Sequence, residues 1–123
     1  MSMSAPIPTI DVVEAERRIR EDPDRPVLLD VREVNEFAEV RAPGALLVPT
    51  SAFMVRIGEV PIDRPLLVVC ALGSRSAAVA GFLIRAGRTD VVNVAGGMDA
   101  WARAGLPVRR GPVEPGEGSL PER

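Results

Sequence analysis

Apolar residues fall along this chain in two patterns. Between Asp11 and Glu21, Val12, Ala15 and Ile19 recur at helical spacing, which predicts an amphipathic helix. Asp11 serves as its N-cap, Glu14 three residues on completes a capping-box pattern, and Pro23 stops it. The second pattern is the short unbroken run: Pro26 to Val31, Ala45 to Val48, Leu66 to Cys70, and Val91 to Val94. These runs are too short for helices and do not alternate, so they predict strands buried on both faces of a parallel sheet, with Leu66–Cys70 the central one.

Between the runs the helical period returns. Glu33–Ala38 predicts a short helix with Val34, Phe37 and Ala38 inward, and Thr50 or Ser51 can cap a further helical piece through Ile57. After a five-residue loop, Ser76–Arg85 predicts a strong helix that Gly87 ends, and a last helix runs from about Met98 to Ala104, stopped by Gly105 and Pro107. Trp101 and Met98 read as its core contacts, and Gly96-Gly97 as a tight turn. Short buried strands alternating with helices predict an α/β three-layer domain with right-handed crossovers. The domain is expected over 9–110, after a flexible N-terminus at 1–8 and before a Pro-, Gly- and Glu-rich tail at 111–123 expected to be disordered.

A length of 123 residues fits one domain. The chain has no His, no Lys, no Tyr and one Cys. That excludes Ser-His-Asp and Cys-His catalysis, a Lys Schiff base, a Walker-type phosphate loop, a structural zinc site and an internal disulfide. No metal and no cofactor are expected. Fifteen Arg against 17 acidic residues give a formal charge of −2, which argues against a nucleic-acid or anionic-membrane partner. Met1–Thr9 carries no signal-peptide pattern and no run reaches about 18 apolar residues, so a cytoplasmic location with Cys70 reduced is expected. The Arg-only, Ala-, Gly-, Val- and Pro-heavy composition suggests a GC-rich bacterial genome.

Cys70 ends the central strand, and Ala71-Leu72-Gly73-Ser74-Arg75 leads into a helix. Ligands of open parallel sheets bind outside the carboxyl ends of the strands, and here a tight loop delivers backbone amides and a helix N-terminus to that place. Such a nest binds anions and favours a thiolate over a thiol, so Cys70 is expected to be nucleophilic without a histidine. A bare Cys at a strand end reads otherwise as a small core hydrophobe. The Gly73-Ser74-Arg75-Ser76 sequence after it has no packing reason to be there and tips the reading towards a reactive thiol. Arg75 offers a cation that either braces the loop against Asp30 or binds substrate oxygens. Asp30 and Arg32 read equally as structural support and as substrate contacts.

Leu29-Asp30-Val31-Arg32-Glu33 with Glu36-Phe37, Pro43-Gly44-Ala45, Val69-Cys70 with Gly73-Ser74-Arg75-Ser76, Gly96-Gly97-Met98 with Ala100-Trp101, and Ala104 to Val108 together resemble the single-domain rhodanese-like sulfurtransferases. The resemblance runs in order from about Thr9 to Val108. It implies a five-stranded parallel sheet flanked by helices, and a Cys70 that takes a sulfane sulfur as a persulfide cradled by the amides of Ala71, Leu72, Gly73, Ser74, Arg75 and Ser76. The implied donor is a small sulfur-containing anion such as thiosulfate, or a persulfide or polysulfide. The implied acceptor is cyanide or a thiol. The alternative is a sulfur-relay or regulatory module whose persulfidated Cys70 is read by a partner protein. The C-x4-R spacing of Cys70 and Arg75 matches the sulfur-transferring members, whereas the related phosphatases and some arsenate reductases carry C-x5-R. Two features depart from the family. Val40-Arg41-Ala42 stands where Gly-His-Ile is usual, and Ala71-Leu72 stands where many thiosulfate-active members carry a polar or basic residue after the Cys.

Overall fold

The computed structural model describes residues 6–121. Five strands, β1 (Thr9–Ile10), β2 (Val27–Asp30), β3 (Leu46–Leu47), β4 (Leu66–Val69) and β5 (Val91–Val94), form one sheet in the order β1-β5-β4-β2-β3. Every pairing is parallel. The helices are α1 (Val12–Glu21), α2 (Val34–Glu39), α3 (Phe53–Arg56), α4 (Ser74–Arg85) and α5 (Gly97–Arg103).

The pleat explains why the strands read as unbroken apolar runs. Val27 and Leu29, with Leu66, Val68 and Cys70, face the layer of α3 and α4, where they meet Phe53, Val79, Ala80 and Leu83. Leu28, Leu67 and Val69 face the opposite layer of α1, α2 and α5, against Val12, Ala15, Phe37, Met98 and Trp101. Successive side chains point to opposite faces, and both faces are covered by helices.

The structure refines several expectations. The edge strand β1 has too short an apolar run to be read locally; it exists because Thr9 and Ile10 pair with Asn93 and Val94 of β5. The piece after Pro49 is a broken helix, with 3-10 turns at Thr50–Ala52 and Ile57–Glu59 on either side of α3, and neither Thr50 nor Ser51 caps it. Both hydroxyls bond Glu33 instead. Val34 is exposed, not inward, because the six-residue α2 has room to bury little beyond Phe37. In α1 the Asp11 carboxylate accepts from the Glu14 N–H as expected, but the Glu14 carboxylate turns to Arg17 and Arg18 rather than closing a capping box.

The tail also differs from the expectation of disorder beyond Gly111. Arg41, 2% exposed, donates to the carbonyls of Gly111 and Pro112 at 2.8 and 3.2 Å and to both Glu117 carboxylate oxygens at 2.7 and 3.0 Å. The Leu47 N–H donates to the Gly118 carbonyl at 2.9 Å, so the tail covers the open edge of β3. Composition cannot foresee this, because the buried cation that fixes the tail lies 76 residues before Glu117. At the other end, the Asn93 N–H donates to the Pro8 carbonyl and Ile7 packs on the core, while residues 1–5 of the expected flexible N-terminus lie outside the described residues. Glu122 and Arg123 lie outside them too.

Candidate active site

Cys70 follows the last residue of β4, the middle strand of the sheet, and Gly73 is the N-cap of α4 at φ +116°. The loop is therefore three residues, Ala71–Gly73, two fewer than the sequence suggests. Ser74, Arg75 and Ser76 form the first turn of the helix. Only glycine takes this φ without strain, and taking it turns the backbone N–H groups at the head of α4 towards the sulfur.

The Cys70 side chain is enclosed, 1% exposed, yet surrounded by donors. The Gly73 N–H donates to Sγ at 3.0 Å, and the Ser76 hydroxyl lies 3.2 Å from Sγ. Ser76 is itself fully buried and donates to Asn93 Oδ1 on β5 at 2.6 Å. Burial pushes the Cys70 thiol up, but the Ser76 hydroxyl and the N–H groups of Ser76, Gly73 and Leu72 outweigh it, and the net direction is downward from the ordinary thiol value.

The loop is braced from below by α5. The Met98 N–H donates to the Cys70 carbonyl at 2.7 Å and the Asp99 N–H to the Ala71 carbonyl at 3.0 Å. Gly97, at φ +59°, passes so close that a Cβ there would run into both carbonyl oxygens. The Gly96-Gly97 pair is thus more than a turn, since it lets α5 start directly under the loop.

Residues 11–104 match the family model of the Rhodanese-like domain. The chain belongs to that family. It is a rhodanese-type sulfurtransferase, similar to a "Sulfurtransferase" of Allochromatium vinosum, 37% identical over 87 residues that cover 71% of this chain and 81% of the relative. It is also 38% identical to the "Thiosulfate sulfurtransferase GlpE" of Actinobacillus succinogenes over 82 residues, 67% of this chain and 74% of that one. Among solved structures, a rhodanese-related protein from Thermoplasma volcanium superposes with a TM-score of 0.72 at 29% identity, covering 83% of this chain and 97% of the other. A rhodanese-like domain protein from Staphylococcus aureus gives 0.69 at 32% identity, over 77% and 91% of the two chains.

Within this rhodanese-like domain the charged residues sort by burial. Asp30 and Arg32 are a buried pair, 2.8 Å apart, at the end of β2. Arg32 also donates to the carbonyls of Glu36 and Val40, so it ties β2 to the C-terminal end of α2. Of the two readings of Asp30 and Arg32, these contacts favour support. Arg75 does not reach Asp30 as expected. It makes a two-pronged pair with Glu36 on α2 at 2.7 and 2.8 Å, across a sequence separation of 39. That hydrogen-bonded Arg75 holds the Glu36 carboxyl down at about 2, and Glu36 in turn raises Arg75. Arg41, in place of the family's usual His, serves the tail and takes no part at Cys70.

Two clefts flank the loop of this domain. One, on the α3 and α4 side, is walled by Thr50, Phe53, Met54, Val79 and Phe82, with Arg75 at its edge. The other runs beside Ala71 and Leu72 and is lined by Glu36, Glu39, Asp99 and Arg110. Three residues of the site escaped sequence reading: Glu36, Asn93 and Gly97. The polar Asn93 inside an apolar strand was the one local signal available. Among the described residues no cluster suited to a metal ion occurs, and no helix is long and apolar enough to cross a membrane.

Proposed function

We propose that Cys70 is the nucleophile and sulfur carrier of this sulfurtransferase, with the amides of Ala71 to Ser76 as the cradle of its persulfide. The observation that carries the reading is the donor shell about a buried sulfur: the Gly73 N–H at 3.0 Å and the Ser76 hydroxyl at 3.2 Å, at the head of a twelve-residue helix. Donors fixed in this way stabilise a thiolate, and after transfer they face the anionic outer sulfur. The Sγ thiolate attacks the sulfane sulfur of the donor. An Sγ–S bond forms, the donor's S–S bond breaks, and the leaving group departs with the electron pair, as sulfite where thiosulfate is the donor. An acceptor such as cyanide or a thiolate then attacks the outer sulfur, takes it as thiocyanate or a new persulfide, and returns the Sγ thiolate. No metal or cofactor enters either step, and a cytoplasmic setting keeps the resting thiol reduced.

The relatives named for thiosulfate suggest that donor, but the mouth disfavours a dianion. Arg75 is paired with Glu36, Ala71 and Leu72 bring no charge, and in the adjoining cleft Glu36, Glu39 and Asp99 outnumber Arg32 and Arg110. A persulfide with less charge near its sulfane sulfur suits this site better. A second reading has a partner protein collect the sulfur. Leu72, 71% exposed in the middle of the loop, favours it by giving such a partner an apolar foothold.

Intact mass spectrometry after incubation with a sulfane donor tests the proposal. One added sulfur is expected on the wild type and none on Cys70→Ser, with loss of that sulfur on adding cyanide. Transfer by purified Cys70→Ser would overturn it. A persulfide that persists with small acceptors but leaves rapidly to a protein thiol would select the second reading.

A further inference from the structure

The Ser76 hydroxyl has one proton, and two acceptors compete for it. One is Asn93 Oδ1, 2.6 Å away, to which the hydroxyl donates. The other is Cys70 Sγ, 3.2 Å away on the other side. Ser76 is 0% and Asn93 7% exposed, so bulk water does not settle the contest. While Sγ holds its own proton the arrangement is complete, with S–H donating to Ser76 Oγ and O–H to Asn93. Once Sγ is an anion it has no proton to give. The short S···O contact would then set lone pair against lone pair unless the hydroxyl turns to donate to the sulfur. Turning it strips Asn93 Oδ1 of its donor.

We infer that Asn93 is a positioning residue for the sulfur chemistry, acting through Ser76: its amide oxygen holds the hydroxyl proton when Sγ is uncharged and must yield it when Sγ is a thiolate. The inference rests on Cys70 as the sulfur carrier. During transfer, attack by the Sγ electron pair on the sulfane sulfur moves the negative charge to the outer sulfur, and the leaving group takes the pair of the broken S–S bond. Sγ is then uncharged and, though it has no proton, a far weaker acceptor than the amide oxygen, so the hydroxyl proton returns to Asn93. Discharge of the outer sulfur to an acceptor leaves the pair on Sγ and calls the proton back. Asn93 therefore opposes the resting thiolate and favours the persulfide. That bias keeps the sulfur nucleophilic, because a thiolate held by fewer donors attacks more readily.

The charged groups on the elements packed round Cys70 are Arg75 and Arg85 on α4, Glu36, Glu39 and the N-cap Glu33 of α2, the Asp30–Arg32 pair at the end of β2, and Asp99 and Arg103 on α5, with Arg110 in the cleft beside Ala71. A change at Asn93 leaves all of them in place.

The test is the pH dependence of Cys70 alkylation by iodoacetamide, which involves no sulfur donor and so reports on Asn93 independently of whether Cys70 carries sulfur. Asn93→Val should lower the midpoint by about half to one pH unit, since the hydroxyl then has no rival acceptor. Asn93→Asp, nearly isosteric and a stronger acceptor, should raise it. In a Ser76→Ala background the Asn93→Val shift should vanish and the Asn93→Asp shift should shrink to the effect of the added charge. If Asn93→Val fails to fold, the comparison of Asn93→Asp with and without Ser76 decides alone. A midpoint that Asn93→Val leaves unchanged overturns the proposal. A raised midpoint also overturns it, because the amide would then be donating to Ser76. Shifts that persist undiminished without the hydroxyl overturn it as well.

Discussion

Cys70 is enclosed in the apolar layer beneath α4, a setting that by itself would silence a thiol, and the ring of donors at the head of that helix reverses the direction. The ring holds no cation of its own, and Arg110 in the cleft beside Ala71 is outnumbered there by Glu36, Glu39 and Asp99. The helix N-terminus supplies about half a unit of positive charge, and Arg75 spends its own on Glu36. At residue scale this predicts weak, salt-sensitive use of thiosulfate. Ala71→Arg should raise kcat/KM for thiosulfate about tenfold if the new cation contributes about 1.4 kcal/mol in the transition state. Steady-state kinetics with thiosulfate and with glutathione persulfide, wild type against variant, measures this. If the wild type prefers thiosulfate and the substitution changes neither efficiency nor salt dependence, rim charge does not set donor choice.

The loop is held by elements that sequence brings to it from far away. α5 donates two N–H groups to its carbonyls, α2 grips it through Glu36 and Arg75, and β5 reaches it through Asn93 and Ser76. The approach of α5 depends on Gly97, where an added Cβ meets backbone rather than a movable side chain. Gly97→Ala should therefore destabilise the domain by about 2–4 kcal/mol through overlap and left-handed strain, and it should raise the Cys70 alkylation midpoint by shifting the loop. Gly58→Ala, where a Cβ meets nothing within 4 Å, is the control and should stay within about 0.5 kcal/mol. Urea unfolding of the two variants gives the comparison, and equal losses would remove the claim. Elements were legible from sequence where their pattern is local. The apolar runs gave four strands, and Cys70 with Gly73 and the small-residue helix behind it gave the loop. The edge strand β1 and the partners Glu36 and Asn93 were not legible, because each is defined by a neighbour at long separation, 39 residues for Glu36 and Arg75 and 17 for Asn93 and Ser76.

For the whole molecule, the lack of His and Lys has a thermodynamic consequence. Cys70 is the one side chain of a type whose ordinary titration lies between those of the carboxyls and of arginine. Its folded-state pKa lies below the unfolded value, so its stabilising contribution is complete above about 8.5 and is lost as pH falls through the folded value. The wild type should thus be more stable to urea at pH 9 than at pH 6, and Cys70→Ser should lose that difference. A slope that survives in the variant would assign it to another group. On the acid side, the carboxyls of Glu36 and Glu117 are held at about 2 by Arg75 and Arg41. They contribute stability above the unfolded carboxyl value near 4.3 and lose it as pH drops towards 2, so both proteins should weaken together there.

The sequence by itself determined the layered α/β plan, the place of Cys70 at the end of the central strand, and the exclusion of histidine- and lysine-based chemistry. These follow from local periodicity and from which residue types exist at all. Only the tertiary structure decided which charges face which. It gave Arg75 to Glu36 rather than Asp30, buried Asp30 and Arg32 as a pair, and set Asn93 behind Ser76. It also drew the Pro- and Gly-rich tail over β3 through Arg41. The physical reason is that a hydrogen bond or ion pair is specified by distance and direction at both ends, and a parallel sheet with crossovers brings those ends together from parts of the chain that share no local pattern.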